Sequence, residues 1–101
     1  IADIGGLAIA YSAFKKTAQG KDSVRIDSLT PDQRFFMAFA QMWRTKDRPE
    51  TDRAQVLSDP HSIPRIRVNG AVSDLNAFYE TYNILPTDGM YTPDSLRPHI
   101  W

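Results

Sequence analysis

The chain has 101 residues; its twelve basic and twelve acidic side chains cancel, 42% of it is hydrophobic, 24% is charged and it has no cysteine. That is one small domain's worth of chain with a modest core, and the composition excludes wholesale disorder. Without a basic excess no nucleic-acid partner is expected, and without cysteine neither disulfides nor thiolate metal sites are possible.

The first stretch, IADIGGLAIAYSAF, already reads as the interior of an apolar helix. Ile4, Leu7, Ala8, Tyr11, Phe14 and Ala18 keep helical spacing, and Gly20 is the expected stop. Its apolar run GLAIAYSAF, about nine residues before Lys15 and Lys16, is too short to span a bilayer and lacks the features of a signal peptide. No membrane-spanning segment is expected in this piece. Two readings of Asp3 stand: a helix cap, or a residue inside a helix that began earlier. Gly5 and Gly6 suggest close approach of another backbone.

The polar connector KDSVRIDSL leads to the clearest helix start. Thr30 can cap, Pro31 suits the first turn and Gln33 can close a capping box. Phe35, Phe36, Phe39, Met42 and Trp43 then form one wide apolar face, with Phe39 and Trp43 read as core. A short helix is expected around Thr51 to Leu57. Beyond it, Pro60 and Pro64 predict an extended, stiffened loop over SDPHSIPRIRVNG, with a turn at Asn69-Gly70. Ser73 can cap a last helix carrying Leu75, Phe78, Tyr79 and Tyr82. The tail is irregular but apolar, and Met90, Tyr91, Leu96, Ile100 and Trp101 predict docking onto the body. The fold class is therefore mainly α, with three main helices and long irregular connections.

His61 stands between two prolines, with Asp59 before it and Arg65 and Arg67 after it. One reading is a solvated loop; the other is an imidazole and a guanidinium held toward a substrate by a loop that loses little entropy on organising. If Ile66 and Val68 lie in a short strand, Arg65 and Arg67 project to one side. No metal site can be built from this chain alone: its two histidines, His61 and His99, lack a second ligand at helical spacing. A Gly-rich phosphate loop and a nucleophile elbow are also missing.

Four blocks in order, IADIGGLAIAYSAF, RFFMAFAQMWRTKDRPE, DPHSIPRIRVNGAVSDLNAFYETYNI and DGMY with the terminal Trp101, resemble the C-terminal end of the neprilysin and endothelin-converting-enzyme family of zinc endopeptidases, which includes bacterial PepO-type oligoendopeptidases. The resemblance implies that residues 1–101 are the C-terminal portion of a zincin-like, thermolysin-like catalytic domain acting on oligopeptides. It places a glutamate zinc ligand two positions before Ile1 and a His-Glu-x-x-His helix further upstream, so zinc is the implied cofactor, held by the missing N-terminal part of the same protein.

By the same resemblance Asp3, one turn from that glutamate, accepts the N–H of a zinc-bound histidine and orients it. His61 matches a donor to the oxyanion of the reacting peptide bond. Arg67 matches an arginine that grips a substrate carbonyl. Arg48-Pro49-Glu50 matches a family block, read as a loop ion pair. Animal members carry cysteines here, whereas this chain ends Pro98-His99-Ile100-Trp101; that departure implies a bacterial member, exported or periplasmic, with cytoplasmic relatives known. The alternatives are a free-standing helical interaction module that uses the Phe35–Trp43 face, and a peptidase homologue without catalysis.

Overall fold

Proline placement accounts for much of the architecture. In the computed structural model, which describes residues 1–100, Pro31, Pro49 and Pro64 each open a helix. At that position the missing N–H has no intrahelical partner to lose. The preceding residues Thr30, Arg48 and Ile63 are extended, with ψ of 163°, 147° and 153°, as the ring of a following proline requires. Thr30 and Gln33 close the capping box, with Thr30 Oγ1 accepting from the Gln33 N–H at 3.2 Å and Gln33 Oε1 from the Thr30 N–H at 2.9 Å.

The elements in order are α1 (Ala2–Phe14), α2 (Ala18–Lys21), α3 (Pro31–Met42), α4 (Pro49–Ser58), α5 (Pro64–Ser73) and α6 (Asn76–Tyr82), followed by a 3-10 turn at Asp94–Leu96. The mainly α class holds, but the expected three main helices become six helical segments among the described residues. The first helix stops at Phe14, short of the expected Gly20. Thr17 ends it by donating to the Phe14 carbonyl at 2.7 Å, and starts α2 by accepting from the Gly20 N–H at 3.0 Å. Gly20 is buried inside α2, where a Cβ would collide with the Phe14 carbonyl.

The larger correction is α5. The stretch expected as an extended loop with a turn at Asn69-Gly70 is a ten-residue helix, because Pro64 begins it instead of forbidding it. Asn69 and Gly70 lie in its interior. Ser73 is its last residue and caps nothing; Leu75 precedes α6 without a side-chain cap. Arg65 and Arg67 are therefore about 200° apart around a helix, not on one side of a strand. The chain leaves α6 through Asn83, whose φ of 53° and ψ of 47° put it in the left-handed region that asparagine tolerates.

Leu7, Phe36, Ala71, Val72 and Leu75 form the core, which lies where α1, α3 and α5 converge. Each large apolar side chain buried there contributes about 1.5–3 kcal/mol. Phe35, Phe39, Phe78 and Tyr82 pack around it. The rings of Tyr11, Phe35, Phe36 and Phe78 meet at centroid distances of 5.2–5.6 Å, in the range where edge-to-face and offset stacking are favourable.

The tail docks in part. Tyr79 Oη donates to the Ser73 carbonyl at 2.8 Å and accepts from the Thr92 N–H at 2.9 Å, and the Arg97 guanidinium covers the Tyr79 ring at 4.2 Å. Met90 packs against the core, whereas Leu96 stays exposed. The expected docking of Trp101 falls outside the described residues.

Apart from Asp3 and Ser12, α1 carries apolar or weakly polar residues on every side. It buries Gly5 and Leu7 but leaves Ile9 60% exposed. α4 buries no residue at all, and its Leu57 is 87% exposed. Among the described residues no helix is long and apolar enough to cross a membrane.

Candidate active site

α5 presents Arg67, Gly70, Ala71 and Asp74 along one stripe, since positions three, four and seven apart share a helix face. That stripe faces the first turn of α1. Together with Ile1, Asp3, Ile4 and the Pro60-His61-Ser62 segment it lines a groove of about 330 Å³. All three residues singled out in the sequence, Asp3, His61 and Arg67, border this one groove. A Cβ on Gly70 would meet nothing within 4 Å, so the groove is open beside it.

Asp3 lies inside α1, which removes the cap reading; Ile1 occupies the cap position. Its carboxylate and Arg67 form a two-pronged bond across 64 positions of sequence, Nε to Oδ2 and Nη2 to Oδ1, each 2.7 Å. Both side chains are about three-quarters covered, 22% exposed for Arg67 and 28% for Asp3. The Arg67 hydrogen bond holds the Asp3 carboxyl below its ordinary value of 3.8, more than partial burial raises it, and the same bond raises Arg67. On its far side the Arg67 guanidinium stacks over the Trp43 ring, 4.0 Å from the centroid. Trp43, expected in the core with Phe39, instead serves as the platform for this arginine.

A depressed carboxyl contributes stability above the unfolded carboxylate range and loses it as pH falls through the folded value. Acid titration of the 101-residue chain, followed by circular dichroism, is expected to show the tie between α1 and α5 intact down to about pH 4 and weakening below it. Asp3→Asn should flatten that part of the profile. Identical profiles for the two proteins would show that the pair contributes nothing to folding.

His61 sits between α4 and α5 with its side chain 67% exposed. Asp59 positions it twice through one oxygen: Oδ1 accepts the His61 backbone N–H at 2.7 Å and contacts Nδ1 at 2.9 Å. These two bonds, the backbone one first, lower the Asp59 carboxyl. The Asp-x-His spacing visible in the sequence is the signature of such an Asx-type turn. Gln55 of α4 also reaches this segment, Nε2 donating to the carbonyls of His61 at 3.3 Å and Ser62 at 3.2 Å; nothing in the sequence pattern marks it. Arg65, by contrast, faces a separate groove with Trp43, Arg44 and Asn69. Arg48-Pro49-Glu50 forms no ion pair among the described residues. It opens α4, with Arg48 as cap, Pro49 at the first position and Glu50 in the acidic first turn.

This grouping of Asp3, Arg67 and His61 around one groove accompanies a match of residues 1–97 to the family described as Peptidase family M13. The chain belongs to peptidase family M13. It is 38% identical over 90 residues to Neprilysin-3 of Drosophila melanogaster, an alignment covering 85% of this chain and 12% of that protein. It is 38% identical to human endothelin-converting enzyme 1, over all of this chain and 13% of the relative. The zinc metalloprotease Zmp1 of Mycobacterium tuberculosis, solved in an open state and with an inhibitor, superposes at a TM-score of 0.90 and 38% identity. That superposition covers 98% of this chain and 15% of the Zmp1 chain. The chain thus spans about an eighth to a seventh of the length of these M13 relatives. Among the described residues no three His, Cys, Asp or Glu side chains gather in a way that would hold a metal ion.

Proposed function

We propose that residues 1–101 are the C-terminal portion of the catalytic domain of a zinc-dependent endopeptidase acting on short peptides, and that they supply positioning, oxyanion-stabilising and substrate-gripping groups. The observation that carries the reading is the Asp3–Arg67 fork beside His61 in one groove of an M13 chain. The zinc ligands belong to the upstream portion of the protein, and zinc, when bound, supplies the Lewis acidity that activates water.

The geometry of this chain's own residues supports the roles that the reading gives them. Asp3 spends one acceptor site of each oxygen on Arg67, and an ionised carboxylate offers about four. The others serve to accept the N–H of a metal-binding imidazole and so fix its tautomer and orientation. The fork to Asp3 uses Nε and Nη2 of Arg67 and leaves Nη1 for a carbonyl oxygen of the peptide. His61, standing in solvent at the groove mouth, donates to the oxyanion that develops on the attacked carbonyl.

An exported location belongs to the same proposal, in keeping with the family resemblance, as does a bacterial source. Identity does not discriminate the source, since it is 38% to both the fly and the mycobacterial protein; the lack of cysteine carries it.

The test uses the complete protein. One equivalent of zinc and chelator-sensitive cleavage of a short peptide are expected, with a glutamate two positions ahead of Ile1 and a His-Glu-x-x-His segment upstream. The 101-residue chain alone should bind no zinc tightly. A full-length protein that binds no zinc and leaves peptides intact would overturn the peptidase reading and leave a binding homologue.

A further inference from the structure

His61 is exposed and belongs to no regular element, so something outside its own side chain must fix where it stands. Asp59 sets the turn from within the segment. Among the described residues, the side chain from a neighbouring helix that holds it is Gln55, in the second half of α4, whose amide nitrogen reaches the carbonyls of both His61 and Ser62. α4 buries no residue, so packing does little to hold that helix against the loop. The amide bridge, two N–H groups to two consecutive carbonyls, therefore couples the helix to the His61 backbone.

We infer that Gln55 is a positioning residue for His61: its side-chain amide clamps the His61-Ser62 backbone and so places the imidazole over the groove. The inference rests on the proposed role of His61 in peptide hydrolysis. It differs from a merely structural role because a surface glutamine on a helix without buried residues contributes little to folding. Its effect falls on the placement of a group whose misplacement by an ångström is costly. Both partners are acceptors, so the residue must be a donor. Gln55→Glu keeps the size but turns both contacts repulsive, whereas Gln55→Lys keeps donors of similar reach.

The experiment is a double-mutant cycle in the full-length peptidase, with steady-state kinetics on a short peptide and thermal unfolding of every variant. Gln55→Glu is expected to lower kcat about tenfold with KM and melting temperature unchanged, and Gln55→Lys to restore most of the loss. In a His61→Ala background Gln55→Glu should cost nothing further, since the group it places is gone. If His61→Ala is strongly impaired but Gln55→Glu costs the same factor in both backgrounds, or costs nothing in the wild type, the clamp is overturned and the role of His61 survives. If His61→Ala is itself fully active, the underlying reading falls and the clamp with it.

Discussion

On the proposed reading, replacing His61 with alanine in the full-length protein is expected to lower kcat by about a hundredfold or more, the usual cost of removing one donor aimed at developing negative charge. Zinc content should stay stoichiometric and folding intact. The imidazole is 67% exposed and absent from the core, so its loss opens no cavity. With Asp59 accepting from Nδ1, the remaining ring nitrogen, Nε2, is the one available to the substrate. Because the interaction exists only once the carbonyl carries charge, the loss should appear equally in kcat and kcat/KM, with KM little changed. Metal analysis and steady-state kinetics on one preparation decide it, and unchanged turnover would remove His61 from the reaction.

Arg67→Lys is expected to raise KM about tenfold or more, with a smaller change in kcat, although the formal charge is kept. A lysine ammonium is a compact point charge. It cannot present two parallel N–H groups to Asp3 while offering a third edge to a peptide carbonyl, and it has no flat face to lie on Trp43. The structure adds a consequence that the substrate-grip role alone would not bring. The same guanidinium ties α5 to α1 through Asp3, so the substitution should also lower resistance to heat, and Arg67→Ala should lower it further. Kinetics and thermal unfolding of both variants check this; an unchanged Michaelis constant for the lysine variant would cancel the assignment of Arg67 to substrate.

Prolines show where sequence reasoning succeeded and where it went astray. At Thr30-Pro31 the proline followed a good cap and preceded an evident apolar face, so it read as a helix start, and α3 begins there. Pro64 does the same at α5, yet it read as a barrier, because Pro60 precedes it and because Asn69-Gly70 mimics a turn signal. The local pattern of α5 is only weakly amphipathic; what makes it helical is burial of Ala71 and Val72 against the core. Propensity is a weak prior, and here tertiary packing overrides it. A local effect shortened the first helix: spacing continues through Ala18, but Thr17 satisfies the Phe14 carbonyl from its own side chain and turns the chain.

The candidate site was legible unevenly. The proline-framed His61 and the preceding Asp59 could be seen because both lie within a few residues, where chain geometry restricts their meeting. Trp43 read as core, since an aromatic at helical spacing after Phe36 and Phe39 usually is; that its ring supports Arg67 depends on α3 and α5 crossing. Gln55 carried no signal, since a glutamine on a polar helix is ordinary until a loop folds back beneath it.

By itself the sequence determined the mainly helical class, the capped start of α3, the apolar faces and the residue types able to do chemistry, because caps, helical periodicity and side-chain chemical type are properties of single residues and their near neighbours. Only the tertiary structure decided that Arg67 closes on Asp3 from 64 positions away, that α5 is a helix, and that Gln55 holds His61. The closure of Arg67 on Asp3 depends on which helices the burial of Leu7, Phe36 and Val72 draws together, and burial is a property of the whole chain.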